Sequence, residues 1–181
     1  MRTSLAVFRD KRLFSIFVFG IASGFPWVMI GSVLSAWLKD ESLSRSAIGL
    51  FGAIFAVYSF NFLWAPLLDR IKPLALGQRR GWIGQMQLLI IGCCVWMSTL
   101  DAQSSLYQIA LCGFIIALSS ATQDIAIDAF RIDTIAQHET DAMSAASSLA
   151  TAGWWTGYGG LGAIPFLVAD LPGWEWQHIY L

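Results

Sequence analysis

Asp124 and Asp128 stand four residues apart in an otherwise apolar run, Leu106 to Ile132, LYQIALCGFIIALSSATQDIAIDAFRI. An ionised carboxylate in or near hydrocarbon is costly, so such groups face a polar cavity and mark an ion, proton or substrate path. The i, i+4 spacing sets both acids on one helix face, and Arg131 follows three residues later. An acid pair there is suited to proton exchange, and a guanidinium beside it offers a donor fork to a carboxylate or phosphate. Gln123, Asp124, Asp128 and Arg131 are therefore the candidate substrate-binding or proton-coupling set. A helix ending near Ala121 would leave both acids in bulk water. Ile125, Ala126, Ile127, Ala129, Phe130 and Ile132 instead keep the segment apolar, and neither Gly nor Pro interrupts it before Gln137. The spacing predicts an amphipathic extension lining a hydrated vestibule. Aspartyl catalysis needs two carboxylates converging on one water. Residues one turn apart on a single helix are poorly placed for that, so no enzyme is expected.

The elements that must position these groups follow from composition. Only 13% of the 181 residues are charged and 56% are hydrophobic, with a mean hydropathy of +0.61. Soluble domains carry about 25% charged residues. No basic stripe with interleaved aromatics points to nucleic acid. Cys93, Cys94 and Cys112 lie inside apolar runs and read as small buried hydrophobes. His138 and His178 are isolated, so neither a metal nor a cofactor is implied.

A helix needs about 20 apolar residues to cross a bilayer core. Suitable runs fall near 13–38, 47–68, 82–100, 106–132 and 142–169, and Gln177 to Leu181 opens a sixth. The short polar breaks between them make sequential helices antiparallel neighbours in one bundle. The expectation is an all-α membrane protein with five complete transmembrane helices and a truncated sixth. The first run is too long for a secretory signal core and reads as an uncleaved helix. With the N-terminus inside, nine of the 11 Lys and Arg residues fall inside, leaving only Lys39 and Arg45 outside. That bias orients the N-terminus to the cytoplasm. Trp37, Trp82, Trp174 and Trp176 fall near span ends, where amphipathic rings favour the membrane interface.

Three further sets complete the reading. Asp69, Arg70, Arg79 and Arg80 flank one inside loop, where charge-assisted hydrogen bonds can latch one conformation. Gly20, Ser23, Gly24, Pro26, Gly31 and Ser32 in the first span, and Gly153, Gly157, Gly159, Gly160, Gly162 and Pro165 in the fifth, allow close approach and bending. Asn61, Trp154 and Tyr158 are polar or aromatic residues within spans and are candidates to line a cavity.

The segments SGFPWVMIGSVLSAWL, IGLFGAIFAVYSFNFLWAPLLDR, LGQRRGW and ATQDIAIDAFRID together resemble the AmpG-type muropeptide permeases. These belong to the major facilitator superfamily, near its acetyl-coenzyme A transporter branch, and the resemblance covers nearly all of the chain. It implies the N-terminal helical bundle of a carrier of twelve or more helices, working with a missing C-terminal helical half. It also implies proton-coupled import of muropeptide-like solutes across the bacterial inner membrane for peptidoglycan recycling. By matching motif, Asp69, Arg70, Arg79 and Arg80 take the cytoplasmic gate positions, and Gln123, Asp124, Asp128 and Arg131 take the polar positions of the fourth helix. An acyl-coenzyme A cargo and a non-transporting membrane subunit are the alternatives.

Overall fold

A computed structural model describes residues 10–73, 76–135 and 139–181, and its regular elements are all helical. Helix α1 spans Lys11–Asp40 and α2 spans Arg45–Leu63. Then come α3 (Ala65–Arg70), α4 (Gln78–Met97), α5 (Leu106–Thr134) and α6, residues 140–169, with a short 3-10 turn at Trp176–Tyr180. Helices α1, α2 and α5 are long and apolar enough to cross a membrane. The third and fifth predicted runs are helical too, as α4 and α6. Their apolar content is diluted by Gln85 and Gln87 in α4 and by serines, threonines and glycines in α6.

Local chemistry explains the helix boundaries. Asp10 starts α1 as its N-cap, its carboxylate accepting from the Arg12 backbone N–H at 2.9 Å. The second run was expected to continue over 47–68, but it breaks at Trp64. Pro66 lies in the first turn of α3, where its missing N–H would have no helical partner anyway. The fourth run continues beyond Ile132 to Thr134, so both aspartates are on the helix.

Small residues decide the tightest contact in the bundle. α1 and α6 run parallel and touch backbone to backbone. A Cβ on Gly20 would stand 2.6 Å from the Ala150 carbonyl oxygen. One on Gly24 would strike the Trp154 carbonyl, and ones on Gly153 and Gly157 would strike the carbonyls of Phe17 and Ile21. The sequence G-x-x-x-G occurs in both helices, so each supplies a flat strip to the other.

Two apolar clusters fill the bundle. One occupies the end where α1 finishes and includes Val33, Leu34, Trp37, Met97, Ile109 and Ile116. The other lies at the opposite, basic end and includes Leu13, Ile16, Leu68, Ile127 and Phe130. The buried polar side chains among the described residues are Ser23, Ser119, Ser120, Thr122 and Gln123. Along α1 and α5 all of them fall between the two clusters, forming a polar layer at mid-depth.

The tryptophans correct one expectation. Trp37 is fully buried against Tyr180 rather than at an interface, because the residues after α6 fold back over the end of α1. Tyr180 donates its hydroxyl to the Met29 carbonyl at 3.0 Å, and Trp176 donates to Asp40 at 2.9 Å. Cys93 and Cys112 are buried thiols, whereas Cys94 is half-buried. His178 is exposed and accepts from the Glu175 backbone, while His138 lies outside the described residues.

The glycine strip makes a direct prediction. Gly24→Val should lower stability by at least about 2 kcal/mol through overpacking. Gly159→Ala, where an added Cβ meets nothing within 4 Å, should leave the detergent melting temperature nearly unchanged. Equal melting temperatures for Gly24→Val and the wild type would contradict the close approach.

Candidate functional site

Pro26 organises the centre of the polar layer. Proline has no backbone N–H, so within a helix it leaves the carbonyl four residues earlier without its donor. For Pro26 that carbonyl belongs to Ala22. The Gln123 side chain of α5 supplies the donor instead, its Nε2 lying 3.0 Å from the Ala22 oxygen. Hydrocarbon offers no replacement partner, so neighbouring side chains must satisfy the freed group. Gln123 is completely buried, and this bond fixes the rotation of α5 against α1.

That rotation separates the two aspartates. Asp124 is half-buried and accepts a hydrogen bond from the Ser23 hydroxyl at 2.6 Å. It has no ion-pair partner among the described residues. Asp128 has 67% of its side chain exposed and pairs with Arg131 at 3.0 Å. Arg131 also donates to the Ser147 hydroxyl of α6 at 3.1 Å. Gln123 and Asp124 thus share the α1 interface, while Asp128 and Arg131 form a second, outer pair nearer the basic end.

Around Asp124 the layer contains several hydroxyl and amide groups. Trp64, at the break between α2 and α3, donates its indole N–H to the Thr122 hydroxyl at 3.1 Å. Thr122 in turn donates to the Leu118 carbonyl at 2.7 Å. The Tyr58 and Ser120 hydroxyls and the Gln123 Oε1 are buried without a hydrogen-bond partner among the described residues. Tyr58 was missed in the sequence, where Ser23 was read as a small packing residue and Thr122 stood in the polar stretch of the fourth run without an assigned role. A Pro–Gln pair on two adjacent spans was the one signal that could have led to them.

At the basic end, Arg79 is the hub of the predicted loop cluster. Its Nη1 lies 2.6 Å from Asp69, and its Nε lies 2.9 Å from Asp133 at the end of α5. Asp133 was not among the predicted residues. Arg80 instead stands over the Phe130 ring, 5.5 Å from its centroid. Arg70 is exposed and makes no ion pair among the described residues. The four predicted gate residues therefore do not converge; two of them do, with Asp133 as the third member.

A second ionic knot centres on Arg12, which sequence reasoning used only for orientation. Arg12 grips both carboxylate oxygens of Glu139 at 3.1 and 2.9 Å and reaches the Thr134 carbonyl at 3.2 Å. It thereby ties the start of α1 to the junction of α5 and α6. Its Nε also binds Asp10 at 2.9 Å, and this hydrogen bond holds the Asp10 carboxyl below the usual carboxylate range.

The remaining predicted residues differ in their surroundings. Asn61 is half-buried in a 3-10 stretch, and its side chain makes no hydrogen bond among the described residues. Trp154 and Tyr158 are half-buried and stack on each other at 4.9 Å with ring planes 14° apart.

Residues 13–168 match the family described as acetyl-coenzyme A transporter 1. The chain belongs to that family. The anhydromuropeptide permease of Escherichia coli is 35% identical over 145 residues, covering 80% of this chain and 30% of the relative. A Rickettsia felis protein named as transporter AmpG 4 is 34% identical over 174 residues, covering 94% of this chain and 41% of the relative. An uncharacterised protein of Haemophilus influenzae is 38% identical over 136 residues, 75% of this chain and 32% of its own length. The resemblance drawn from the motifs therefore holds: the chain is similar to the N-terminal part of an AmpG-type permease. Its apolar helices and transporter relatives make it a membrane protein of a transporter family. It spans well under half the length of these curated relatives.

The Pro26–Gln123 linkage is testable by a double-mutant cycle. Gln123→Leu should cost about 1–3 kcal/mol by orphaning a buried carbonyl. In a Pro26→Ala background, where a backbone N–H can return to Ala22, that cost should fall by at least half. Strict additivity in thermal or denaturant unfolding would refute the linkage. For the exposed Arg79–Asp133 pair the same cycle should return less than about 1 kcal/mol, and a coupling several times larger would show that the pair is not solvated as described.

Proposed function

We propose that this chain forms the N-terminal helical bundle of a proton-coupled carrier that imports muropeptide-like solutes across the bacterial inner membrane, serving peptidoglycan recycling. The observation that carries the reading is Asp124: a half-buried acid at mid-depth, held by one hydroxyl and lacking a cation partner among the described residues. Carriers of this general build place their sites near the bilayer midplane, between two related halves. The buried polar layer between two apolar clusters supports that location.

In this reading Asp124 exchanges the proton and Ser23 orients its carboxylate. Asp128 and Arg131 form a charge-balanced pair that opens toward the solute, with Arg131 supplying donors to an anionic group. Asp69, Arg79 and Asp133 fasten the cytoplasmic side of the bundle, and Arg12 with Glu139 fastens it a second time. These contacts join different helices, so relative helix movement changes their geometry and lets them bias alternating states. The name of the Escherichia coli relative supports the muropeptide cargo. The family description favours a second reading with an acyl-coenzyme A cargo.

Uptake into energised membrane vesicles tests both parts, using the protein as the cell makes it. Asp124→Asn should reduce proton-driven muropeptide uptake by roughly two orders of magnitude, as loss of an essential proton carrier does, with membrane insertion unchanged. Normal proton-driven uptake by that variant would refute the coupling role. Competition by excess acetyl-coenzyme A, without competition by muropeptide, would replace the cargo assignment.

A further inference from the structure

The basic end of the bundle carries more positive charge than its own carboxylates neutralise. Arg79 holds Asp69 and Asp133, Arg12 holds Asp10 and Glu139, and Arg131 holds Asp128. Lys11, Arg70, Lys72 and Arg80 are left without a carboxylate among the described residues, set against the unpaired acid Asp141 on α6.

Three of those cations share one corner. Gln78 donates to the Leu68 carbonyl at 2.8 Å, and the Trp82 indole donates to the carbonyls of Leu68 and Ile71 at 3.2 and 3.1 Å. These bonds clasp the first turn of α4 to the last turn of α3. Arg70 lies between the two accepting residues and Arg80 between the two donors, so the clasp draws both together, with Lys72 just beyond. The Arg80 guanidinium stands 5.5 Å from the Phe130 ring centroid, a contact that positions it without cancelling its charge.

The same corner is apolar as well as cationic. Leu67, Ile71 and Leu76 are 49%, 43% and 65% exposed and alternate along the chain with the basic residues. Bulk water suits the cations and leaves these side chains wet, whereas hydrocarbon suits the side chains and strands the cations. The boundary between headgroups and acyl chains satisfies both. Tryptophan favours that boundary too, and Trp82 makes the clasp.

We propose that Arg70, Lys72 and Arg80 form a docking surface for the headgroup of an anionic phospholipid, with Leu67, Ile71 and Leu76 set against its acyl chains. Guanidinium groups give paired donors to phosphate oxygens, and basic residues at a membrane surface attract acidic lipids. A soluble phosphate would meet the cations but leave the apolar side chains in water, so the corner fits a lipid. The surface lies apart from the polar layer around Asp124. It does not rest on the transport reading and needs only that the chain spans a membrane.

Dihexanoyl-phosphatidylglycerol and dihexanoyl-phosphatidylcholine, which share acyl chains and differ in headgroup charge, are the probes. Each is titrated into the purified protein, as the cell makes it, in a nonionic detergent. Affinity is read from the saturation of the melting-temperature shift. The anionic lipid should bind about tenfold more tightly. In the Arg70→Gln/Lys72→Gln/Arg80→Gln variant that preference should fall to about twofold or less. Lys39→Gln/Arg45→Gln, which removes two cations from the opposite end, should leave it intact. Salt at about 0.5 M should erase it in the wild type, a measurement that decides the matter if the triple variant does not fold. Equal affinity for the two lipids would overturn the surface, as would a preference that survives either the triple substitution or the salt. Competition by inorganic phosphate at the lipid's own concentration would also overturn it.

Discussion

The bundle depends on the backbone contact between α1 and α6. At Gly20, Gly24, Gly153 and Gly157 the two helices approach so closely that a single methyl on any of them would meet a carbonyl or backbone atom. In hydrocarbon no hydrophobic gain separates one helix pairing from another, so packing and hydrogen bonding select the partner. The strip supplies that selection. It sets the depth of Ser23 and Trp27 on one helix against Trp154 and Tyr158 on the other, and thereby locates the polar layer.

A second constraint arises from Pro26. Inserting proline in the first span frees a carbonyl that lipid cannot satisfy. Gln123 answers it from α5, so a local backbone defect becomes a cross-helix bond. The residue next to it, Asp124, is then held toward Ser23. A gap in the helix's own hydrogen bonding and an acid site are thus two consequences of one arrangement. The proposed coupling acid would sit beside the point where α1 is least constrained by its own hydrogen bonds.

The basic end works differently. Asp69 and Asp133 are each more than half exposed, and Arg79 between them is partly so. Water screens such pairs, and they contribute little to overall stability. Contacts that are weak in water and geometrically specific can form in one helix arrangement and release in another. The Arg12 knot shares this character, with both of its acid partners partly exposed. Strong apolar packing lies deeper, around Leu13, Ile16 and Ile127.

Much of this molecule was readable from one dimension. Apolar runs of sufficient length dictated helices along the five long predicted runs, with the second broken at Trp64, because backbone groups have no other way to satisfy themselves in lipid. The i, i+4 glycines announced close packing, and Asp69 with Arg79 announced an inner ionic contact. Tertiary structure decided what each polar residue meets. Helical geometry carries residues four apart to positions about 40° from each other, which is enough to turn Asp124 toward α1 and leave Asp128 exposed beside Arg131. That rotation is absolute only relative to neighbouring helices. For the same reason Asp133 joining Arg79, the burial of Trp37 and the meeting of Trp27 with Tyr58 could not be read from spacing. Local chemistry determines that a helix forms, whereas packing between helices determines which way it faces.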